Sequence, residues 1–103
     1  MISMNMQNKD VLNRKNALVN KYLCNFIESK FLREYYDQEG NIISQNKYAK
    51  LCGITSSTIS KLKLPEGYDV PMSTIYNILR HERYSLENFF KEFENSKGIN
   101  IPD

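Results

Sequence analysis

The sequence predicts an all-α fold of five helices, in which the first helix is extended at its N-terminal end. Apolar residues recur at helical spacings of three and four positions along most of the chain. The segment from Asp10 to Asp37 contains neither glycine nor proline, which favours one long helix. Beyond it, Gly53, Pro65 and Pro71 divide the chain into shorter helical segments. A chain of 103 residues is long enough for one domain with a modest core.

Positive charge is concentrated between Gln45 and Leu64, although the net charge of the whole chain is only +2. This segment contains no acidic residue, whereas the segment after Arg83 is rich in acidic residues. The basic residues of the segment are Lys47, Lys50, Lys61 and Lys63. A local basic patch is typical of nucleic-acid-binding domains. The alternative is an ordinary solvated face.

Cys24 and Cys52 both lie in apolar helical surroundings and are predicted to be buried free thiols in a reducing cytoplasm. Together with His81 they fall short of the four ligands with paired spacing that a zinc site needs. No apolar run resembles a signal peptide or is long enough to cross a membrane. We therefore expect a cytoplasmic protein with no metal, no other cofactor and no membrane partner.

The segment Gln45 to Leu64 reads as two short helices joined by a sharp turn. Ser44 and Thr55 are the expected N-cap residues, because their hydroxyls can accept free backbone N–H groups. Gly53 can adopt the left-handed backbone conformation that the turn needs, and the small side chain of Ala49 lets the two helices approach closely. The other inward positions are apolar: Tyr48, Cys52, Ile54, Ile59 and Leu62. The second helix is predicted over residues 55–64.

This pattern resembles the helix-turn-helix core of the lambda-repressor-like (Cro/repressor, XRE-type) DNA-binding domains. The resemblance covers residues 26–93. Its motifs are Ser44-Gln45, Ala49, Gly53-Ile54, Ser57-Thr58-Ile59-Ser60-Lys61, Pro71, Ser73-Thr74-Ile75 and Ser85-Leu86-Glu87-Asn88-Phe89-Phe90. It implies a five-helix domain whose helix 55–64 enters the major groove of double-stranded DNA.

The first helix of that family is shorter, and its equivalent here is Leu23 to Tyr36. The turns before it are an extension that either folds back on the domain or pairs with another subunit, and we favour subunit pairing. Residues 1–8 are polar and Met-rich, without periodicity, and are expected to form a flexible arm. The predicted units are 1–22 for the arm and extension, 23–94 for the DNA-binding domain and 95–103 for the tail. Gly40-Asn41 marks a turn, and Ile42 and Ile43 after it could form a brief extended segment, but no sheet is predicted.

Two further helices complete the predicted domain. One runs from about Met72 to His81, and the other, capped by Ser85, runs from about Leu86 to Glu94. Their inward positions are apolar: Ile75, Ile78, Leu79, Leu86, Phe89, Phe90 and Phe93. The loop from Leu64 to Pro71 is longer than in typical members of the resembled family.

The outward face of helix 55–64 holds the expected base contacts, since Ile59 and Leu62 point inward. In the resembled family the positions that match Ser56, Ser57 and Lys61 read bases. The full set of expected base-contacting residues is Ser56, Ser57, Ser60, Lys61 and Leu64. The expected phosphate contacts are Ser44, Gln45, Thr55, Thr58, Lys63 and Ser73. The matching glutamine of the family contacts a phosphate and braces the recognition helix, whereas capping alone explains Ser73 equally well.

Tyr48 and Cys52 are assigned to the core, with the hydroxyl of Tyr48 expected to reach the surface. His81 stands at a helix end, and no base-and-nucleophile pair involves it.

The leading interpretation is a sequence-specific DNA-binding transcriptional regulator, a repressor, acting as a homodimer. The second is an antitoxin that binds a toxin protein through the extension and represses its own operon, as members of the resembled family often do. The third is a protein-interaction module without DNA binding. An enzyme with a small-molecule substrate is not expected, because no metal, nucleophile or paired-carboxylate arrangement appears in the sequence.

Overall fold

A computed structural model describes residues 2–96, with side chains from residue 9 onward. The described chain is mainly helical, as predicted, with five helices and one small two-stranded sheet. In chain order the elements are α1 (Ile2–Phe31), β1 (Tyr35–Tyr36), β2 (Ile42–Ile43), α2 (Gln45–Cys52), α3 (Ser56–Leu62), α4 (Met72–Glu82) and α5 (Leu86–Glu94). Met1 and the end of the predicted tail, residues 97–103, lie outside the described part.

Helix α1 differs from the prediction at both ends. It begins at Ile2 rather than near Asp10, so residues 2–8, where a flexible arm was expected, are helical. It ends at Phe31 rather than near Tyr36, because the residues that follow pair with another strand. Its C-terminal half enters the core through residues such as Ile27, which is 1% exposed. By contrast, Leu12 is 58% exposed in its N-terminal half.

The two strands form an antiparallel β-hairpin over residues 35–43, which the sequence did not predict. Tyr35 pairs with Ile43 and Tyr36 with Ile42. At the turn, one carboxylate oxygen of Asp37 accepts the backbone N–H groups of Glu39 and Asn41, each at 2.9 Å. The N–H of Asn41 is the main reason that the pKa of Asp37 lies below its usual range. Strands of two residues are too short to show the alternation that identifies a strand in a sequence.

Helices α2 and α3 are bounded by the caps that the sequence predicts. The hydroxyl of Ser44 accepts the N–H of Lys47 at 3.1 Å, and the hydroxyl of Thr55 accepts the N–H of Thr58 at 3.2 Å. Gly53 takes the left-handed conformation at φ 82°. Ser56–Leu62 is shorter than the predicted 55–64, because Thr55 is the cap and the turn before the proline is already non-helical.

Helix α4 packs on α2, and α5 packs on α1. Helix α4 extends one residue past the prediction, to Glu82, and Arg83 then ends it in the left-handed conformation at φ 57°. Helix α5 has its predicted bounds, and the hydroxyl of Ser85 accepts the N–H of Asn88 at 3.0 Å. The ring of Phe89 on α5 lies 5.3 Å from that of Phe26 on α1, measured between centroids. Of the predicted inward residues of α5, Phe89 and Phe93 are buried, whereas Leu86 and Phe90 are half-buried.

The loop after α3 packs directly on α1. Gly67 is buried at φ 71°, and a β-carbon there would stand 2.9 Å from the carbonyl oxygen of Asn20. One residue further on, the carbonyl of Tyr68 accepts the thiol hydrogen of Cys24 at 3.4 Å. Cys24 and Cys52 are both buried free thiols, as predicted. Burial raises the pKa of each thiol, to about 11 for Cys52.

Candidate nucleic-acid interface

Helix α3 has one buried and one exposed side. Ile59 and Leu62 are each 0% exposed and fix the helix to the core. The residues that were predicted to contact bases lie on or next to the opposite side. Ser57, Ser60, Lys61 and Leu64 are exposed, whereas Ser56 is half-buried. Leu64 lies beyond the end of α3, two residues after Leu62.

The residues predicted to contact phosphates are more dispersed. Ser44 and Thr55 are exposed at the N-termini of α2 and α3, where their side chains cap the helices. The hydroxyl of Thr58 lies 3.0 Å from that of Thr55, so each already has a protein partner. Lys63 is exposed directly after α3. Ser73 is exposed too, but it lies on a separate element, in the first turn of α4.

Gln45 joins the first turn of α2 to α3. Its side-chain nitrogen Nε2 donates to the hydroxyl of Ser56 at 2.9 Å, to the carbonyl of Ser56 at 3.2 Å and to the hydroxyl of Ser60 at 3.2 Å. Its carbonyl oxygen Oε1 accepts the hydroxyl hydrogen of Tyr35 at 3.1 Å. One amide therefore holds two side chains of α3 at fixed positions relative to α2.

Tyr35 extends this hydrogen-bonded chain to the end of α3. The ammonium group of Lys63 donates to the Tyr35 hydroxyl at 3.1 Å and stands 5.5 Å from the centre of its ring. On its other side the ring lies 5.0 Å from that of Tyr48, measured between centroids. Tyr35 was not predicted as a site residue, because no local spacing connects a residue of the β-hairpin with Gln45 or Lys63.

The hydroxyl of Tyr48 does not reach the surface, so that prediction is wrong. Tyr48 is 0% exposed, and its hydroxyl donates to a carboxylate oxygen of Glu82 at 2.6 Å. Burial, and after it the bond to Glu82, raises the pKa of Tyr48. His81 packs edge-on against the same ring, and its Nε2 lies 2.9 Å from the carbonyl oxygen of Tyr36. These contacts anchor the β-hairpin and α2 on α4.

The lysines of the α2–α3 segment keep their charge free of direct carboxylate partners. Within residues 9–96, the ion pairs join Lys30 to Glu92 and Arg33 to Glu28. The four lysines of the segment are all exposed: Lys47, Lys50, Lys61 and Lys63. The ammonium of Lys61 lies 5.8 Å from the centre of the Tyr68 ring. The positive charge of this surface is therefore available to an anionic partner.

Comparison with protein-family models, with curated proteins and with solved structures gave no match. None of the helices in the described part of the chain is both long enough and apolar enough to cross a membrane. Among the same residues, no cluster of three or more His, Cys, Asp or Glu side chains is arranged to hold a metal ion.

Proposed function

We propose that this protein is a sequence-specific regulator of transcription, a repressor, that binds double-stranded DNA with α3 in the major groove. The observation that carries the proposal is that α3 is buried on one side and exposed on the other. Its apolar side is sealed in the core by Ile59 and Leu62, while Ser57, Ser60 and Lys61 face solvent. An α-helix is about 10–12 Å across with its side chains, which matches a major groove about 12 Å wide.

The distribution of positive charge also supports a placement of α3 against DNA. The unpaired lysines lie on and beside α2 and α3, and phosphate contacts supply much of the affinity of DNA-binding domains. Lys63, directly after α3, and Ser44, at the N-terminus of α2, are proposed to contact the DNA backbone. We propose that α2 and α3 act as a helix-turn-helix of the lambda-repressor-like kind, to which the β-hairpin and the extended α1 are added.

We propose a homodimer as the DNA-bound form. Two copies of α3 would then enter successive major-groove turns, about 34 Å apart. The N-terminal half of α1 offers an apolar surface for pairing, since Val11 is 41% and Leu12 58% exposed. The same surface supports the second candidate, an antitoxin whose toxin partner covers these residues. The two are told apart by the product of the neighbouring gene, since a small protein that arrests growth unless this chain is co-expressed favours the antitoxin.

The test of DNA binding is selection of bound duplexes from a random library. Enrichment of a palindrome is expected, and enrichment of no duplex would refute the proposal. On the selected duplex, Lys61→Ala should cost about 1–3 kcal/mol of binding and relax the preference at one base pair. Lys91→Ala is the matched control, because it removes the same charge from an exposed position on α5 and should leave the sequence preference unchanged.

A further inference from the structure

The hydrogen-bonded chain through Gln45 has a fixed direction. An ammonium group can only donate hydrogen bonds and a backbone carbonyl can only accept them. Because the Ser56 carbonyl accepts from Gln45, the amide nitrogen of Gln45 must face α3 and its oxygen must face Tyr35. The Tyr35 hydroxyl therefore gives its hydrogen to Gln45 and accepts a hydrogen from Lys63. Lys63 and the Ser56 carbonyl thus determine the orientation of each group between them.

This direction has a consequence for the two serines that Gln45 contacts. The two hydrogens of the Gln45 amide are shared among three acceptors, the Ser56 carbonyl and the hydroxyl oxygens of Ser56 and Ser60, at 3.2, 2.9 and 3.2 Å. The hydroxyl hydrogens of the two serines are not used in these bonds, and in the described part of the chain neither has an acceptor. A serine hydroxyl ordinarily both donates and accepts. Here the oxygen already accepts from Gln45, so the hydroxyl is left mainly as a donor. Lys61 beside them can only donate.

We propose that Tyr35 and Lys63, acting through Gln45, make α3 a hydrogen-bond donor surface that selects guanine. This inference rests on the proposed function. Guanine presents two acceptors in the major groove, N7 and O6, whereas adenine presents one acceptor and one donor, and cytosine a donor. Ser60, which is exposed, and Ser56, which is half-buried beside it, would face such an edge as donors. Tyr35 is a positioning residue in this scheme and does not itself contact a base.

The first arm of the test uses modified guanines in the selected duplex. Replacing one guanine at a time by 7-deazaguanine removes the N7 acceptor, whereas replacing it by hypoxanthine changes only the minor-groove edge. At one guanine of each half-site, 7-deazaguanine should weaken binding about tenfold, as expected for a lost base contact. Hypoxanthine should change the affinity by less than about twofold at the same position. A duplex that tolerates 7-deazaguanine at every guanine would overturn the inference while leaving DNA binding intact.

The second arm changes the protein on the same duplexes. Tyr35→Phe removes only the hydroxyl and should reduce the 7-deazaguanine penalty at least about threefold, since coupled groups are non-additive. Tyr36→Phe is its control, because the Tyr36 hydroxyl contacts Glu34 and does not belong to the hydrogen-bonded chain through Gln45. Gln45→Glu presents acceptors only, so the serines would donate inward, and the penalty should fall further than in Tyr35→Phe, to what Lys61 alone contributes. Asn46→Asp adds the same charge one residue further on and should keep the penalty. Equal penalties in all these proteins would overturn the inference.

The third arm needs no DNA. In the free protein, the side-chain NH₂ resonances of Gln45 should shift in Tyr35→Phe and stay in place in Tyr36→Phe. Unchanged resonances in a folded Tyr35→Phe would show that the hydrogen-bonded chain does not form, and would overturn the inference. If the library selection enriches no duplex, the proposed function fails and the inference falls with it, whereas failure of the second or third arm alone leaves the proposed function standing.

Discussion

Replacing Tyr48 by Phe tests the packing that holds α2 on α4. The substitution keeps the ring, and with it the contacts at 5.0 Å to the rings of Tyr35 and His81. It removes only the hydroxyl that donates to the carboxylate of Glu82 at 2.6 Å. A change in stability can therefore be attributed to the polar contacts of this hydroxyl, above all the bond to Glu82, rather than to a cavity.

The expected loss follows from the surroundings of the two partners. A hydrogen bond to a charged group contributes about 1.5–3 kcal/mol to stability. Tyr48 is fully buried, but Glu82 is half-buried, so a water molecule can partly replace the hydrogen bond that its carboxylate loses. We therefore expect the lower part of the range, about 1.5–2 kcal/mol. In a domain of this size that loss lowers the melting temperature by about 6–16 °C.

The assay is urea unfolding at neutral pH, followed by far-ultraviolet circular dichroism. Tyr36→Phe is the control, because this tyrosine also contacts a carboxylate, that of Glu34, but is 42% exposed. An exposed substitution of this kind should stay within about 0.5 kcal/mol. Equal free energies of unfolding for Tyr48→Phe and the unsubstituted protein would refute the reasoning. So would an equal effect of the two tyrosine substitutions.

Three further outcomes are expected. Ala49→Leu should cost about 1–3 kcal/mol, because Ala49 is 1% exposed and has no space for three more carbons; an unchanged melting temperature would contradict the close approach of α2 and α3. Gly67→Ala should destabilise by more than about 1–2 kcal/mol, which is the cost of its positive φ alone, because its β-carbon would meet Asn20. Gly40→Ala, with φ 86° but open space around it, measures the cost of the positive φ by itself. Equal losses of stability in the two glycine variants would argue against the contact with Asn20. Burial raises the pKa of Cys52 from 9.0 to about 11, so the unfolded chain loses this proton first and stability falls as pH rises between these values. Cys52→Ala should remove about 3 kcal/mol of that alkaline loss, and an identical pH profile in urea titrations would count against a buried thiol.

The features that the sequence predicted well are those that neighbouring residues decide. Ser44, Thr55 and Ser85 cap helices by bonding to N–H groups three residues ahead, so a short window contains both partners. Gly53 likewise ends α2 through its own backbone conformation. The bounds of α5 follow from a cap and a strong apolar periodicity, and they are confirmed.

The features that it missed depend on partners far apart in the chain. The end of α1 could not be placed, because Tyr35 and Tyr36 continue an apolar helical pattern and leave it only by pairing with residues 42–43. The same holds for Tyr48, whose polar partner Glu82 lies 34 positions away. At the candidate interface, the exposed positions of α3 follow from helical spacing, but the contact of Tyr35 with Gln45 and Lys63 does not. Such contacts arise from tertiary packing, which no local window records.

The glycine in the loop after α3 has a mechanical consequence. Because Gly67 has no side chain, the backbone leaving α3 rests directly on the backbone of α1 at Asn20, and the neighbouring carbonyl of Tyr68 is bonded to Cys24 on the same helix. A displacement of α1 would pass to this loop without a flexible side chain to absorb it. A partner that binds the exposed turns around Leu12 would therefore act on the same helix whose C-terminal half contacts the segment that follows α3.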